Sequence, residues 1–145
     1  MKNINKKEYS KYVNEKIPKP NYIKNSFKAF IVGGLICTFG QVVTNFFLSI
    51  GLEKKLVDSA TPILLVFLGA LFTGIGIYDR LGKFAGAGSI VPITGFANSI
   101  VSPAMEYKRE GYVFGVAAKM FTIAGPVLVY GFGFSVIVGL IYYFI

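Results

Sequence analysis

An all-α membrane protein is the fold class this sequence predicts, and three observations carry that reading. Of its 145 residues, 54% are hydrophobic, more than the core of a soluble domain of this size can take up. Those residues are gathered into long runs without charge. The formal charge of +8 is concentrated ahead of the first run, since residues 1 to 28 hold eight lysines against Glu8 and Glu15, the pattern of a cytoplasmic N-terminus under the positive-inside rule. The runs amount to about four membrane-embedded helical segments. The third (84–105) and the fourth (111–145) are interrupted by Gly and Pro, and the sequence leaves open whether the third spans or re-enters. A basic cytoplasmic arm (1–26) and a polytopic transmembrane domain (27–145) divide the chain.

In the arm, Pro18 and Pro20 of IPKPNY oppose any helix, which predicts a flexible or extended segment ending near Asn25 and Ser26, with Ser26 capping the first apolar helix. Lysines interspersed with tyrosines invite a nucleic-acid reading. No periodicity or binding module supports it, and with an apolar span directly behind, anionic lipid head groups suit the charge better. A cleaved leader is disfavoured by the length of the arm and of the apolar run, and by the lack of a small-x-small site.

Ala29 to Leu52 is 24 residues without charge, enough for a tilted span. Gly34, Thr38, Gln41 and Asn45 recur at steps of four, three and four, hence on one helical face, with Gly33, Cys37, Gly40 and Thr44 beside them. Small residues there favour close helix packing. For Gln41 and Asn45, a hydrogen bond between helices and a place along a polar path are both open, because an amide in hydrocarbon needs a partner of some kind. Glu53 to Asp58 reads as a short loop. The next run, Ser59 to Tyr78, places Pro62 in its first turn, where a missing N–H is tolerated, and puts Gly69, Thr73 and Gly76 on another small face. Asp79, Arg80 and Lys83 come next, at the membrane edge.

Phe84 to Met105 is 22 residues without charge, long enough to cross, yet it contains Gly86, Gly88, Pro92, Gly95 and Pro103 together with Ser89, Thr94, Asn98, Ser99 and Ser102. Backbone opened by Gly or Pro at membrane depth needs protein or water to satisfy its freed groups. The segment is therefore expected to face inward as a broken or re-entrant helix beside a polar path. After EYKRE, Gly111 to Ile145 carries a single charge, Lys119, and Gly125-Pro126 divides it into a shorter first part and a terminal run. Lys119 is either a functional intramembrane charge or a side chain reaching back to the interface. KAFIVGGLICTFG (28–40) aligns without gaps with KMFTIAGPVLVYG (119–131), a faint echo of the repeated halves common in transport proteins.

Enzyme chemistry finds little footing. With no His and one Cys, Cys37, no disulfide closes within the chain, zinc and haem have almost no ligands, and no His-based triad can be assembled. GAGSIV lacks the third glycine of a dinucleotide fingerprint. No acid lies inside a run, so passive permeation suits the residues better than proton-coupled pumping. No cofactor is expected.

FAGAGSIVPITGFANSIVSPAMEYKREG, preceded by GIGIYDRLGK and by KAFIVGGLICTFGQ far upstream, resembles the small membrane proteins of the bacterial stage V sporulation A operon. The resemblance extends over nearly all of residues 19 to 142, and AGAGSIVPITGFANS is its most specific stretch. The lysine-rich arm with PKPNY sets the chain apart from the sister AEb-type subunit, which is usually shorter there. The resemblance implies a hetero-oligomeric complex in the forespore and spore inner membrane that takes up dipicolinic acid, with calcium, during sporulation and releases it during germination. In that family the related membrane subunits are held to form the channel, opening is linked to membrane tension, and a soluble AD-type partner covers the channel and binds dipicolinate.

A planar dianion needs donors and positive potential along its path. Gln41, Asn45, Thr73, Ser89, Thr94, Asn98 and Ser99 are the candidate lining, and Arg80, Lys83 and Lys119 the candidate anion-attracting charges. Gly86, Gly88, Pro92, Gly95, Gly125 and Pro126 are the expected helix breaks, where half-helix termini add partial charge. The competing expectation is a non-conducting membrane anchor that seats the soluble partner. Loop charges are too small to place the C-terminus: four crossings return it to the cytoplasm, while a re-entrant third segment makes the count odd.

Overall fold

The structure is a computed structural model that describes residues 6–16 and 21–145, and no strand occurs among them. The described residues form seven α-helices: α1 (Lys6–Lys16), α2 (Tyr22–Ser49), α3 (Lys54–Gly74), α4 (Ile77–Ala85), α5 (Ala87–Ile90), α6 (Ile93–Glu106) and α7 (Ala118–Phe144). A 3-10 turn (Tyr107–Glu110) and a π-helical turn (Tyr112–Ala117) lead into α7. Among the described residues three stretches are long and apolar enough to cross a membrane: Tyr22–Ser49, Lys54–Gly74 and Tyr112–Phe144. The protein is thus an all-α membrane protein, with helices exposing Phe, Leu, Ile and Val outward as lipid demands.

The arm differs from expectation. Lys6–Lys16 is helical, because nothing in KKEYSKYVNEK breaks a helix. The breakers Pro18 and Pro20 lie outside the described residues. Ser26 is not the cap of α2. Asn21 is, its Oδ1 accepting the Lys24 N–H at 3.3 Å, so α2 begins one turn earlier.

α3 likewise starts before the uncharged run. Glu53–Asp58 contains neither Gly nor Pro, so Lys54 onward joins the helix and Pro62 falls in its interior instead of its first turn. α2 and α3 run side by side in opposite directions: a Cβ on Gly40 would lie 3.4 Å from Leu65 Cδ1, and Thr44 Oγ1 is 3.2 Å from Thr61 Oγ1. The buried stripe of α3, Val57, Thr61, Leu65, Gly69 and Thr73, repeats every four residues, the spacing that keeps one helical face inward.

The most extensive helix–helix contact is α3 with α6, and Gly69 makes it close. A Cβ there would fall 2.8 Å from Thr94 O and 3.1 Å from Ala97 Cβ, well inside van der Waals contact, so the backbones approach as small residues on membrane helices permit.

α7 corrects the expected division at Gly125-Pro126. The helix is continuous through both. Proline removes one N–H bond but leaves the remaining ladder in place, and membrane helices absorb such a defect by local adjustment. The irregularity sits earlier, where Val116 N–H reaches back five residues to Gly111 O at 3.0 Å in the π-helical turn. From Val127 onward every residue of α7 is exposed.

Candidate functional site: a polar seam at the helix break

The run 84–105 folds as the end of α4, all of α5 and most of α6, and two positions create the breaks. Gly86, with φ 53° and ψ −125°, occupies backbone space that a Cβ makes costly, and there α4 turns into α5. Pro92, extended at ψ 161°, starts α6. Gly88 and Gly95 were expected as breaks too, but they are contact positions. A Cβ on Gly88 would collide with the Ala29 carbonyl of α2, and one on Gly95 with the carbonyls of Ser89 and Ile90. Pro103 stays within α6. At 14 residues, α6 reaches about 21 Å, short of a ~30 Å hydrocarbon core, so the central segment is a broken helix.

Around the break lies a seam of hydrogen-bonded polar groups. Tyr78 on α4 is 3% exposed, and its Oη is 2.7 Å from Ser89 O and 2.8 Å from Thr94 Oγ1. The carbonyl can only accept, so the tyrosine proton belongs to it, and the Thr94 hydroxyl completes the pair. Tyr78 therefore occupies a carbonyl in the short helix that the break created. Ser89 is fully enclosed, and its hydroxyl donates to Gly86 O at 3.0 Å. On the α3 side, Thr73 Oγ1 is 2.7 Å from Gly69 O and 2.9 Å from Asn98 Oδ1. Ser99, half-buried, donates to Phe96 O at 2.8 Å.

The structure thus brings Thr73, Ser89, Thr94 and Asn98 into one neighbourhood and leaves Gln41 and Asn45 outside it. Those two amides lie on an exposed face of α2 and pair with each other, Gln41 Nε2 donating to Asn45 Oδ1 at 3.0 Å. Arg80 and Lys83 are exposed on α4. Lys119 is half-buried at the start of α7, its Nζ 4.0 Å from the centroid of the Tyr107 ring, where a cation is attracted by the ring face. Lys28, its counterpart in the 28–40 and 119–131 echo, sits 4.4 Å from the Phe84 centroid.

Tyr78 is the residue that sequence reasoning missed. Its signal is present in α4, where Tyr78, Leu81 and Ala85 recur at steps of three and four on the inward face of an otherwise charged helix. Chemically the seam offers hydroxyls, one amide and backbone carbonyls. None of its members is a carboxylate or a cation, and its hydroxyls are engaged with one another and with neighbouring carbonyls.

Below the seam, Val32, Leu35, Phe39, Leu65 and Phe72 line an apolar cleft of ≈ 280 Å³ between α2 and α3, with Tyr78 and Thr94 on its wall. A tightly bonded polar seam beside an apolar cleft is a closed arrangement.

Comparison with known proteins agrees with this architecture. The family model described as SpoVAC/SpoVAEB sporulation membrane protein matches residues 25–141. Stage V sporulation protein AC of Bacillus subtilis (strain 168) is 51% identical over 142 residues, covering 97% of this chain and 94% of the relative. No solved structure matches the chain. A family match over most of the length, with half the residues identical to a full-length relative, establishes that this chain belongs to the SpoVAC/SpoVAEB family of sporulation membrane proteins.

Proposed function

We propose that this chain is a membrane channel subunit through which dipicolinic acid, with calcium, crosses the spore inner membrane during sporulation and germination, opening under membrane tension. The observation that carries this reading is the seam. Where the α4–α5–α6 break interrupts the apolar bundle, Ser89, Thr94, Thr73 and Asn98 converge from three helices and are held by hydrogen bonds to one another and to neighbouring backbone. Such a cluster is closed by bonds that water can replace. Drawing α3 away from α6 exposes the Thr73 hydroxyl and the Asn98 amide together, and a tension-driven expansion of the bundle is a displacement of that kind. Arg80, Lys83 and Lys119 then supply positive potential for a dianion outside the seam.

A subunit, not a complete channel, is supported by the exposure of α7 beyond Val127 and of the Gln41–Asn45 face. Three long helices and a broken one enclose too little space for a pore. We take the missing walls to be a sister membrane subunit of the AEb type, with a soluble AD-type protein at the mouth.

One observation favours a second reading. The hydroxyls of Thr73, Ser89 and Thr94 are already bonded inside the chain, which also suits a non-conducting anchor seating the soluble partner. Reconstitution separates the two. Liposomes holding this chain with its sister subunit release trapped dipicolinate on osmotic down-shock if it conducts, and retain it with either subunit or both if it is an anchor.

A further inference from the structure

We propose that the face formed by the N-terminal third of α2 and the α4–α5 junction is a binding site for one anionic phospholipid, its phosphate in a polar cleft and an acyl chain in the groove that continues from it. The cleft, ≈ 370 Å³, is lined by Asn25 and Ser26 of α2 and by Lys83 and Phe84 of α4, with the backbone of Gly86 closing one side. Lys28 stands at its rim, since the ring that holds the lysine ammonium at 4.4 Å is that of Phe84. No Asp or Glu is among the lining residues. A lysine in the wall, a second beside it, an asparagine and a serine carry the kinds of donor that a phosphodiester takes.

What selects a lipid over a free anion is the second half of the site. The cleft shares Ala29 and Ala87 with an almost wholly apolar groove of ≈ 330 Å³ that runs along α2 past Gly33, Gly34 and Cys37 to Val91 and Pro92. Its floor is the contact of Gly33 with Gly88, where a Cβ on Gly33 would lie 3.3 Å from Gly88 O. Phe30, 78% exposed, forms an outer wall. A polar cationic cleft at the lysine-rich end of a membrane helix, opening into an apolar groove directed along that helix, has the two-part character of a phospholipid and not of a small soluble anion.

The test uses the full chain in phosphatidylcholine vesicles containing a small fraction of spin-labelled phosphatidylglycerol, and reads the share of label immobilised on the protein relative to spin-labelled phosphatidylcholine. The native chain is expected to prefer the anionic lipid. Lys83→Gln is expected to lower that preference about fivefold, with Lys83→Arg restoring it and Lys55→Gln, an exposed lysine in the first turn of α3, leaving it unchanged. Gly34→Phe gives an independent arm. Nothing lies within 4 Å of a Cβ there and Gly34 lines the groove, so a side chain can be carried at this position, and a ring occupying the groove is expected to reduce the immobilised share even though every charge is kept. Equal preference in the native chain, Lys83→Gln and Gly34→Phe overturns the site. Release of the label by inorganic phosphate, but not by chloride at the same ionic strength, overturns the lipid assignment in favour of a soluble phosphate.

Discussion

Thr73 on α3 and Asn98 on α6 meet with Oγ1 2.9 Å from Oδ1, and among the described residues this is the side-chain hydrogen bond that joins those two helices. It lies one turn beyond Gly69, where the backbones approach most closely. Close packing and a breakable polar bond are therefore stacked along the same contact, the one that the proposed opening has to part.

Asn98→Leu removes the amide from the seam and keeps the branched shape of the side chain. Hydrogen bonds between membrane helices average about 0.6 kcal/mol, so insertion and folding are expected to survive. If the proposed path is right, release of dipicolinate from spores carrying the variant slows severalfold, because the proposed lining loses its amide. Normal release kinetics with normal protein levels would remove Asn98 from the path.

Gly69→Leu drives a side chain into Thr94 O and Ala97 Cβ, backbone and short side chain that cannot swing aside. Overpacking of this kind costs about 1–3 kcal/mol, and thermal unfolding in detergent is expected to show it. Gly74→Ala, with nothing within 4 Å of the new methyl, is expected to leave the midpoint unchanged. Equal midpoints for the two variants contradict the close α3–α6 contact.

Tyr78→Phe takes away one oxygen and leaves Ser89 O and Thr94 Oγ1 without it in a buried site. An unmet buried polar group costs about 1–3 kcal/mol. The variant is expected to unfold earlier than the native chain and to label faster at α5 in hydrogen exchange. Unchanged α5 protection would mean that the tyrosine is not what secures the break.

Gln41→Leu combined with Asn45→Leu abolishes the amide pair on the exposed face of α2. Within the proposed complex, that face is satisfied by a neighbour or by the water path, so co-purification with the sister subunit or dipicolinate flux is expected to fall. A variant that retains both places the pair against lipid, where its partner is only itself.

Much of the fold was legible from charge and periodicity. Long uncharged runs mark α2, α3 and α7, since lipid allows few other residues there, and the Gly and Pro content of 84–105 foretold a broken helix. Which glycines break it was not legible. Gly86 has a positive φ, whereas Gly88 and Gly95 are ordinary helix positions pressed against carbonyls of other segments, and that distinction depends on tertiary neighbours. Pro126 misled for the opposite reason, because a single missing N–H in a long apolar helix is too small a loss to end it. Tyr78 was hidden by its flanks: Asp79 and Arg80 read as a membrane edge, and only packing shows the ring turned inward.

The central claim is that the broken segment meets water inside the bilayer when the complex opens. Single cysteines placed along 84–105 in a Cys37→Ser background, assembled with the sister subunit and exposed to a membrane-impermeant thiol reagent at rest and under osmotic down-shock, test it most directly. Labelling that rises under down-shock at Asn98 and Ser99, while outward positions such as Ile90 and Phe84 do not change with it, is the predicted result. Absence of labelling at every inward position in the opened complex would contradict it and leave the anchoring role.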